Sequence, residues 1–232
     1  MSSCSPRPND SRSREPDPPA VSLDDLSRAI RARFDQKNAA RERALPASRR
    51  AIRCCANAIR ALHRGEREEA ERLTREARDS IDEGIAAAAA HPDVRYAGYL
   101  QDAEKEYTEA RVTRAVIAGE QLPTPEDCGV EDAPYLGGMA DAIGEARRHL
   151  LDLLRAGDVR RGEEILAAME DMYSVLVSMD YPDAITGNLR RLTDVARSLI
   201  EKTRGDLSIA LVQQDLRDAL DRHAREVLGR EE

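Results

Sequence analysis

Apolar residues recur at spacings of three and four along almost the whole chain, and that period limits the fold more than any other feature. Leu23, Leu26, Ile30 and Phe34 make one such stripe. Ile52, Cys55, Ile59 and Leu62 make a second, and Ala70, Leu73, Ala77 and Ile81 a third. Ile165, Met169, Met172 and Leu176 repeat the pattern later in the chain. No alternation of the kind that marks a half-buried strand competes with it. The core material agrees, because with no Trp, one Phe and 3% aromatic residues the interior must be built from Ala, Leu, Ile and Val. Such side chains suit packed helices better than a sandwich of sheets.

Proline and glycine divide this pattern into elements. Pro46 is expected to end or bend a first helix that starts near Leu23, and a second runs from about Ser48 to His63. A third covers about Glu66 to Ala90. Pro92 opens a fourth, which carries Tyr96, Leu100, Tyr107 and Val112 and ends near Gly119. Pro123, Pro125, Gly129 and Pro134 mark residues 119–134 as a loop. A fifth helix spans about Tyr135 to Ala156, with Gly157 as its stop and Asp158 as the cap of the sixth, about 159–179. Pro182 opens a seventh, and Gly205-Asp206 is expected to separate or hinge it from a final segment. The fold class expected is an all-α bundle of about seven antiparallel helices. It forms a single domain over 21–232, preceded by a disordered tail over 1–20 in which Arg7, Arg12 and Arg14 are available for RNA.

The charge balance narrows the function. The net charge is -8, from 44 acidic and 36 basic residues, which is not that of a free-standing basic nucleic-acid binder. Lysine occurs only at Lys37, Lys105 and Lys202, so the positive charge is nearly all arginine. The longest apolar run, Ile85 to Ala90, falls far short of the roughly 20 residues a membrane span needs, and the first 20 residues lack an apolar stretch suited to a secretory leader. Cys4, Cys54, Cys55 and Cys128 contain no C-x-x-C and read as free thiols of a reducing cytosol, so the expected location is cytoplasmic.

Four carboxylates stand apart. Glu106 and Glu109 are three residues apart on the fourth helix, and Asp141 and Glu145 four apart on the fifth, so each pair shares a helical face. Antiparallel packing of these consecutive helices would bring the pairs together. Four converging carboxylates form a hard oxygen site suited to Mg²⁺, or Mn²⁺, and to in-line displacement at phosphorus. In a chain this acidic the same spacings also describe ordinary solvated helix faces. Gly138 and Gly144, which flank Asp141 inside a helix, imply close approach of another helix or of a ligand. His63, His91, His149 and His223 are scattered and read as surface residues. There is no Glu-x-x-His, P-loop, G-x-S-x-G or dinucleotide fingerprint.

The segment from Tyr135, YLGGMADAIGEARRHLLDLLRAGD, resembles the signature of the translin family. The likeness extends to KEYTEA at 105–110, MEDMYSVLVSMDYPDAI at 169–185, LRRLTDVARSLIEKTRGDL at 189–207 and RAIRCCANAIRALHRGE at 50–66. The chain looks most like an archaeal member on the Trax side of that family. The resemblance implies a translin-type helical protein that assembles as a homo-oligomer into a hollow barrel, most often an octamer. It implies a Mg²⁺-dependent endoribonuclease, with Glu106, Glu109, Asp141 and Glu145 as the matched catalytic and metal-binding group. It further implies binding of single-stranded RNA, or single-stranded DNA, for which Arg50, Arg53, Arg60, Arg148, Arg190, Arg191 and Arg197 are candidates. Two alternatives are a non-catalytic barrel that binds single-stranded RNA or DNA, and a helical scaffold for protein interactions.

Overall fold

The computed structural model describes residues 22–228. The tail over 1–20, with Cys4, Arg7, Arg12 and Arg14, lies outside the described residues. Two compact units divide the chain at Asn38/Ala39. In the first, Leu23, Leu26, Ile30 and Phe34 form an apolar stripe that is exposed.

Among the described residues the structure is all-α. Six long helices are α1 (Leu23–His63), α2 (Arg67–Ala88), α4 (Tyr99–Ala118), α6 (Asp132–Ala156), α7 (Val159–Ser178) and α9 (Leu189–Leu228). Three single turns, α3 (Pro92–Arg95), α5 (Pro125–Cys128) and α8 (Asp183–Thr186), sit in the connections. The bounds match the sequence expectation at Gly157, whose φ is +84°, and at Asp158, whose side chain accepts from the Arg161 backbone N–H.

Several boundaries differ, among them the helix expected to open at Pro182, which is cut by left-handed Gly187 and Asn188 so that α9 begins only at Leu189. Pro46 lies inside a continuous α1 and does not end it. The hydrogen bond its missing N–H forfeits is offset by packing, because Ala44, Ala47 and Ala51 are fully buried and α2 approaches them at Gly84. Gly205 likewise lies inside α9 without a break. Arg147 of α6 spans that point, donating to Thr203 Oγ1 at 2.7 Å and to Asp206 Oδ2 at 2.8 Å. Conversely, the expected fourth helix breaks at Gly98, which takes a φ of +99° and donates its N–H to the Gln101 side chain, so α4 starts one turn after α3.

Most neighbouring helices pair antiparallel. Arg50 of α1 meets Glu83 of α2 while Leu62 clusters with Ala70, and Arg204 of α9 meets Glu170 of α7 while Arg197 meets Tyr173. The most extensive pairing, α4 with α6, does not follow that rule. Lys105 meets Gly137 and Asp141, Thr108 meets Gly138, and Ile117 and Ala118 share a cavity wall with His149 and Leu153. The contacts advance together along both helices, so α4 and α6 run parallel, and the antiparallel packing expected of them does not occur.

The connection from Gly119 to Glu131 makes this possible. Stretched out it reaches about 40 Å, enough to retrace the roughly 30 Å of α4. Its return is pinned by the Tyr135 hydroxyl donating to the Pro123 carbonyl at 2.6 Å and by Arg78 donating to the carbonyls of Cys128 and Gly129. At its end Arg95 bridges Glu104 of α4 at 2.6 Å and Glu131 at the start of α6 at 3.6 Å. Glu104 is buried and Arg95 is its ion-pair partner, so this bridge fixes where α6 begins beside α4.

Candidate functional site

α4 is buried on nearly every side: Leu100, Ala103, Tyr107, Ala110, Val112, Ala115 and Val116 are all inside. A helix so enclosed carries its acids into partial burial with it. Glu106 and Glu109 face α6, where the parallel register sets Asp141 and Glu145 opposite them in the same order. Gly138 permits the approach. A Cβ there would stand 2.4 Å from the Lys105 carbonyl oxygen, 2.6 Å from Thr108 Cβ and 2.9 Å from the Glu109 backbone nitrogen. Gly144 has no such duty, since its nearest neighbour would be Leu199 Cδ1 at 3.9 Å. Of the two flanking glycines, only Gly138 marks close helix approach.

The electrostatics record the convergence. Burial, then repulsion from Glu106, Asp141 and Glu145, pushes the Glu109 carboxyl up to about 8, with Lys105 opposing. Burial also raises Glu106, to which Asp141 and Asp102 add. Glu145 moves the other way, because a hydrogen bond from His63 holds it below its ordinary value. The four sequence-predicted carboxylates therefore act on one another across the α4–α6 seam.

Two neighbours went unnoticed in the sequence. Lys105 Nζ lies 2.5 Å from Asp141 Oδ2. His63 Nε2 lies 2.5 Å from Glu145 Oε2, with a side chain only 5% exposed. His63 is thus not a surface residue, and His149, whose ring centroid is 6.5 Å away and whose pKa is lowered by burial and by His63, is half-buried. The signals were present: His63 follows the Ile52, Cys55, Ile59 and Leu62 stripe into the last turn of α1, and Lys105 adjoins Glu106. Cys55 completes the setting, a buried thiol whose pKa is raised by burial and by Glu106 and Glu109.

The donor set suits a hard divalent cation, since an all-carboxylate group of oxygen donors favours Mg²⁺ or Mn²⁺ over softer ions. In the side-chain positions adopted, no three His, Cys, Asp or Glu residues among those described are arranged to hold one metal ion. Asp141 is engaged by Lys105 and Glu145 by His63. Ligation by the group would require those two partners to yield.

The candidate arginines fall into separate groups. Arg50, Arg53 and Arg60 share a face of α1, Arg50 pairing with Glu83 at 2.5 Å and Arg60 donating to Asn57 at 2.8 Å. Arg148 lies 3.8 Å from Glu145 and is the one candidate brought beside a carboxylate of the site. Arg190 and Arg197 line a cleft of about 290 Å³ with Asp180 and Asp194, Arg197 donating to the Tyr173 hydroxyl at 2.7 Å. Arg191 is exposed nearby on α9. No helix among the described residues is long and apolar enough to cross a membrane.

Comparison with known proteins places this architecture in an all-helical, translin-type class. The crystal structure of AfC3PO has 34% sequence identity and a TM-score of 0.75, covering 81% of this chain and 98% of its own. AfC3PO in complex with duplex RNA gives 33% identity and 0.75, covering 81% and 97%. Apo-NeC3PO, at 20% identity and a TM-score of 0.72 over 82% and 100%, shares the fold. An uncharacterized protein of Methanocaldococcus jannaschii is 30% identical over 204 residues, 87% of this chain and 90% of that protein. No protein-family model matches the chain. The chain belongs to the translin family, as a Trax-like member.

Proposed function

We propose that this protein is a Mg²⁺-dependent endoribonuclease of the translin/Trax type. The observation that carries the reading is the juxtaposition of Glu106, Glu109, Asp141 and Glu145 across α4 and α6, registered in the lift of Glu109 to about 8. So costly an accumulation of negative charge needs a reason, and a divalent cation supplies one. The similarity to AfC3PO, solved with duplex RNA, supports RNA as the ligand.

The four carboxylates would hold Mg²⁺, or Mn²⁺ in its place. Such an ion would supply an activated water and would offset charge at phosphorus. The chain's own residues do the rest. His63 fixes Glu145 as an oriented carboxylate. Glu109, lifted to about 8 by burial and by its acidic neighbours, would hold a proton at neutral pH and would serve a cation only as the carboxylate. Arg148, beside Glu145, would take a backbone phosphate, and the separate α1 and α9 arginine groups would contact the strand elsewhere. We retain single-stranded RNA as the substrate, with duplex RNA as the second probe.

Self-assembly into a hollow homo-oligomeric barrel, an octamer in the simplest case, belongs to the same proposal. Two apolar stripes favour it: Leu23, Leu26, Ile30 and Phe34 on α1, and Ile209, Val212, Leu216 and Leu220 on α9, all exposed in the single chain. The engagement of Asp141 by Lys105 and of Glu145 by His63 favours a second reading, a barrel that binds RNA or single-stranded DNA without cutting.

Incubation of a labelled single-stranded RNA with Mg²⁺ separates the two. Cleavage by the wild type, abolished by EDTA and by Glu109→Gln, supports the nuclease. Binding without cleavage in every sample overturns it.

A further inference from the structure

Lys105 is the one basic side chain in direct ion contact with an acid on the facing helix of the α4–α6 seam. Its ammonium sits 2.5 Å from Asp141 Oδ2, and its stem lies flat over Gly137, one helical turn before Asp141. A Cβ on Gly137 would meet Cδ and Cε of that stem at 3.3 Å, so the glycine makes the lane along which the lysine reaches its partner. The pair is about one-third exposed, 31% and 32%, and so opens to solvent. Lys105 also eases the burden on Glu106 and Glu109.

The residue type matters. In a chain whose positive charge is almost all arginine, one of three lysines stands here. An arginine fork would grip a carboxylate bidentately and hold it, whereas an ammonium is a compact point charge on a flexible stem that leaves more readily.

We infer that Lys105 is an exchangeable cation: its ammonium neutralises Asp141 until a divalent ion takes that carboxylate, and the released ammonium then pairs with a backbone phosphate of the RNA. The inference rests on the proposed metal site. A doubly charged ion at Asp141 repels the ammonium toward the open side of the pair. A polyanion approaching four carboxylates needs a positive group there. Lys105 stays tethered beside the site by α4 and remains long enough to meet it.

Two binding measurements on the full chain test this, using Mn²⁺ as the metal probe. Lys105→Met keeps the apolar stem over Gly137 and removes the charge, and Lys105→Arg keeps the charge. Thermal unfolding confirms that both variants fold. Free Mn²⁺ is followed by electron paramagnetic resonance, and single-stranded RNA binding in Mn²⁺ by stopped-flow anisotropy before turnover. Lys105→Met is expected to bind Mn²⁺ about two- to fivefold more tightly than the wild type, the scale of one lost, partly exposed ion-pair competitor. It is also expected to lose about 0.7 from the slope of log affinity against log salt, one phosphate contact on a single strand. Lys105→Arg is expected to keep that slope. Equal or weaker Mn²⁺ binding by Lys105→Met, with Mn²⁺ bound to both proteins, overturns the exchange and leaves the metal site standing. An unchanged salt slope overturns the phosphate contact. No Mn²⁺ binding to either protein removes the metal site and the exchange together.

Discussion

Glu109→Gln should stabilise the metal-free protein progressively as pH rises from about 5 to about 8 and do nothing below that window. The wild-type carboxyl is lifted from 4.5 to about 8, first by burial and then by Glu106, Asp141 and Glu145. Between those values the folded chain keeps a proton that the unfolded chain releases, so stability falls as pH rises through that window and levels off above it. Ionising the group in place costs about 5 kcal/mol at 1.36 kcal/mol per tenfold change. Glu109 is only partly buried, and water and neighbouring side chains relieve some of that cost, leaving roughly 2–3 kcal/mol. For a chain of this size such a gain raises Tm by about 4–12 °C. The glutamine amide is nearly isosteric and cannot ionise. Thermal unfolding in EDTA from pH 5 to pH 9 should therefore show coincident melting near pH 5 and a gap that widens to pH 8. Excess Mg²⁺ should narrow the gap by stabilising the wild type alone. A variant no more stable than the wild type at pH 8, in EDTA, would refute the convergence of charge on Glu109.

Two further contrasts follow from the same geometry. Gly138→Ala drives a methyl group into the Lys105 carbonyl and the Glu109 backbone, and should cost about 3 kcal/mol, whereas Gly144→Ala makes only ordinary contact with Leu199 and should stabilise by up to about 1 kcal/mol, both read by urea denaturation. His63→Leu removes the donor to Glu145 and should weaken Mn²⁺ binding by about ten- to a hundredfold, while His63→Gln, whose amide reaches the Nε2 position, should restore most of it. Equal binding by the two His63 variants, measured by titration, would show that the histidine does not orient Glu145.

Much of this site was legible before any fold. Spacing alone placed each acid pair on one face, and the run of helical periods named the class. The direction of α6 was not legible, because it depends on how the connection from Gly119 to Glu131 doubles back and on Arg95 joining Glu104 to Glu131. Periodicity reports a helix's faces and is silent on its polarity. Pro46 and Gly205 misled for a related reason: local propensity argued for breaks, and packing against Gly84 and the Arg147 contacts to Thr203 and Asp206 overrode it. His63 and Lys105 were harder to read, because a place at the end of the α1 stripe and adjacency to Glu106 mark a position without naming a partner. Only the approach of α1 and α4 to α6 turns them into partners of Glu145 and Asp141.

The chemistry of the cut ends tests the account most directly. A 5′-labelled single-stranded RNA is incubated with the protein and Mg²⁺, and the products are resolved before and after phosphatase treatment, with Glu109→Gln as the control. Water attack at a carboxylate-held cation predicts fragments with a 5′-phosphate and a 3′-hydroxyl from the wild type, and none from the variant. Fragments ending in a 2′,3′-cyclic phosphate, or cleavage that survives in the variant, would contradict it.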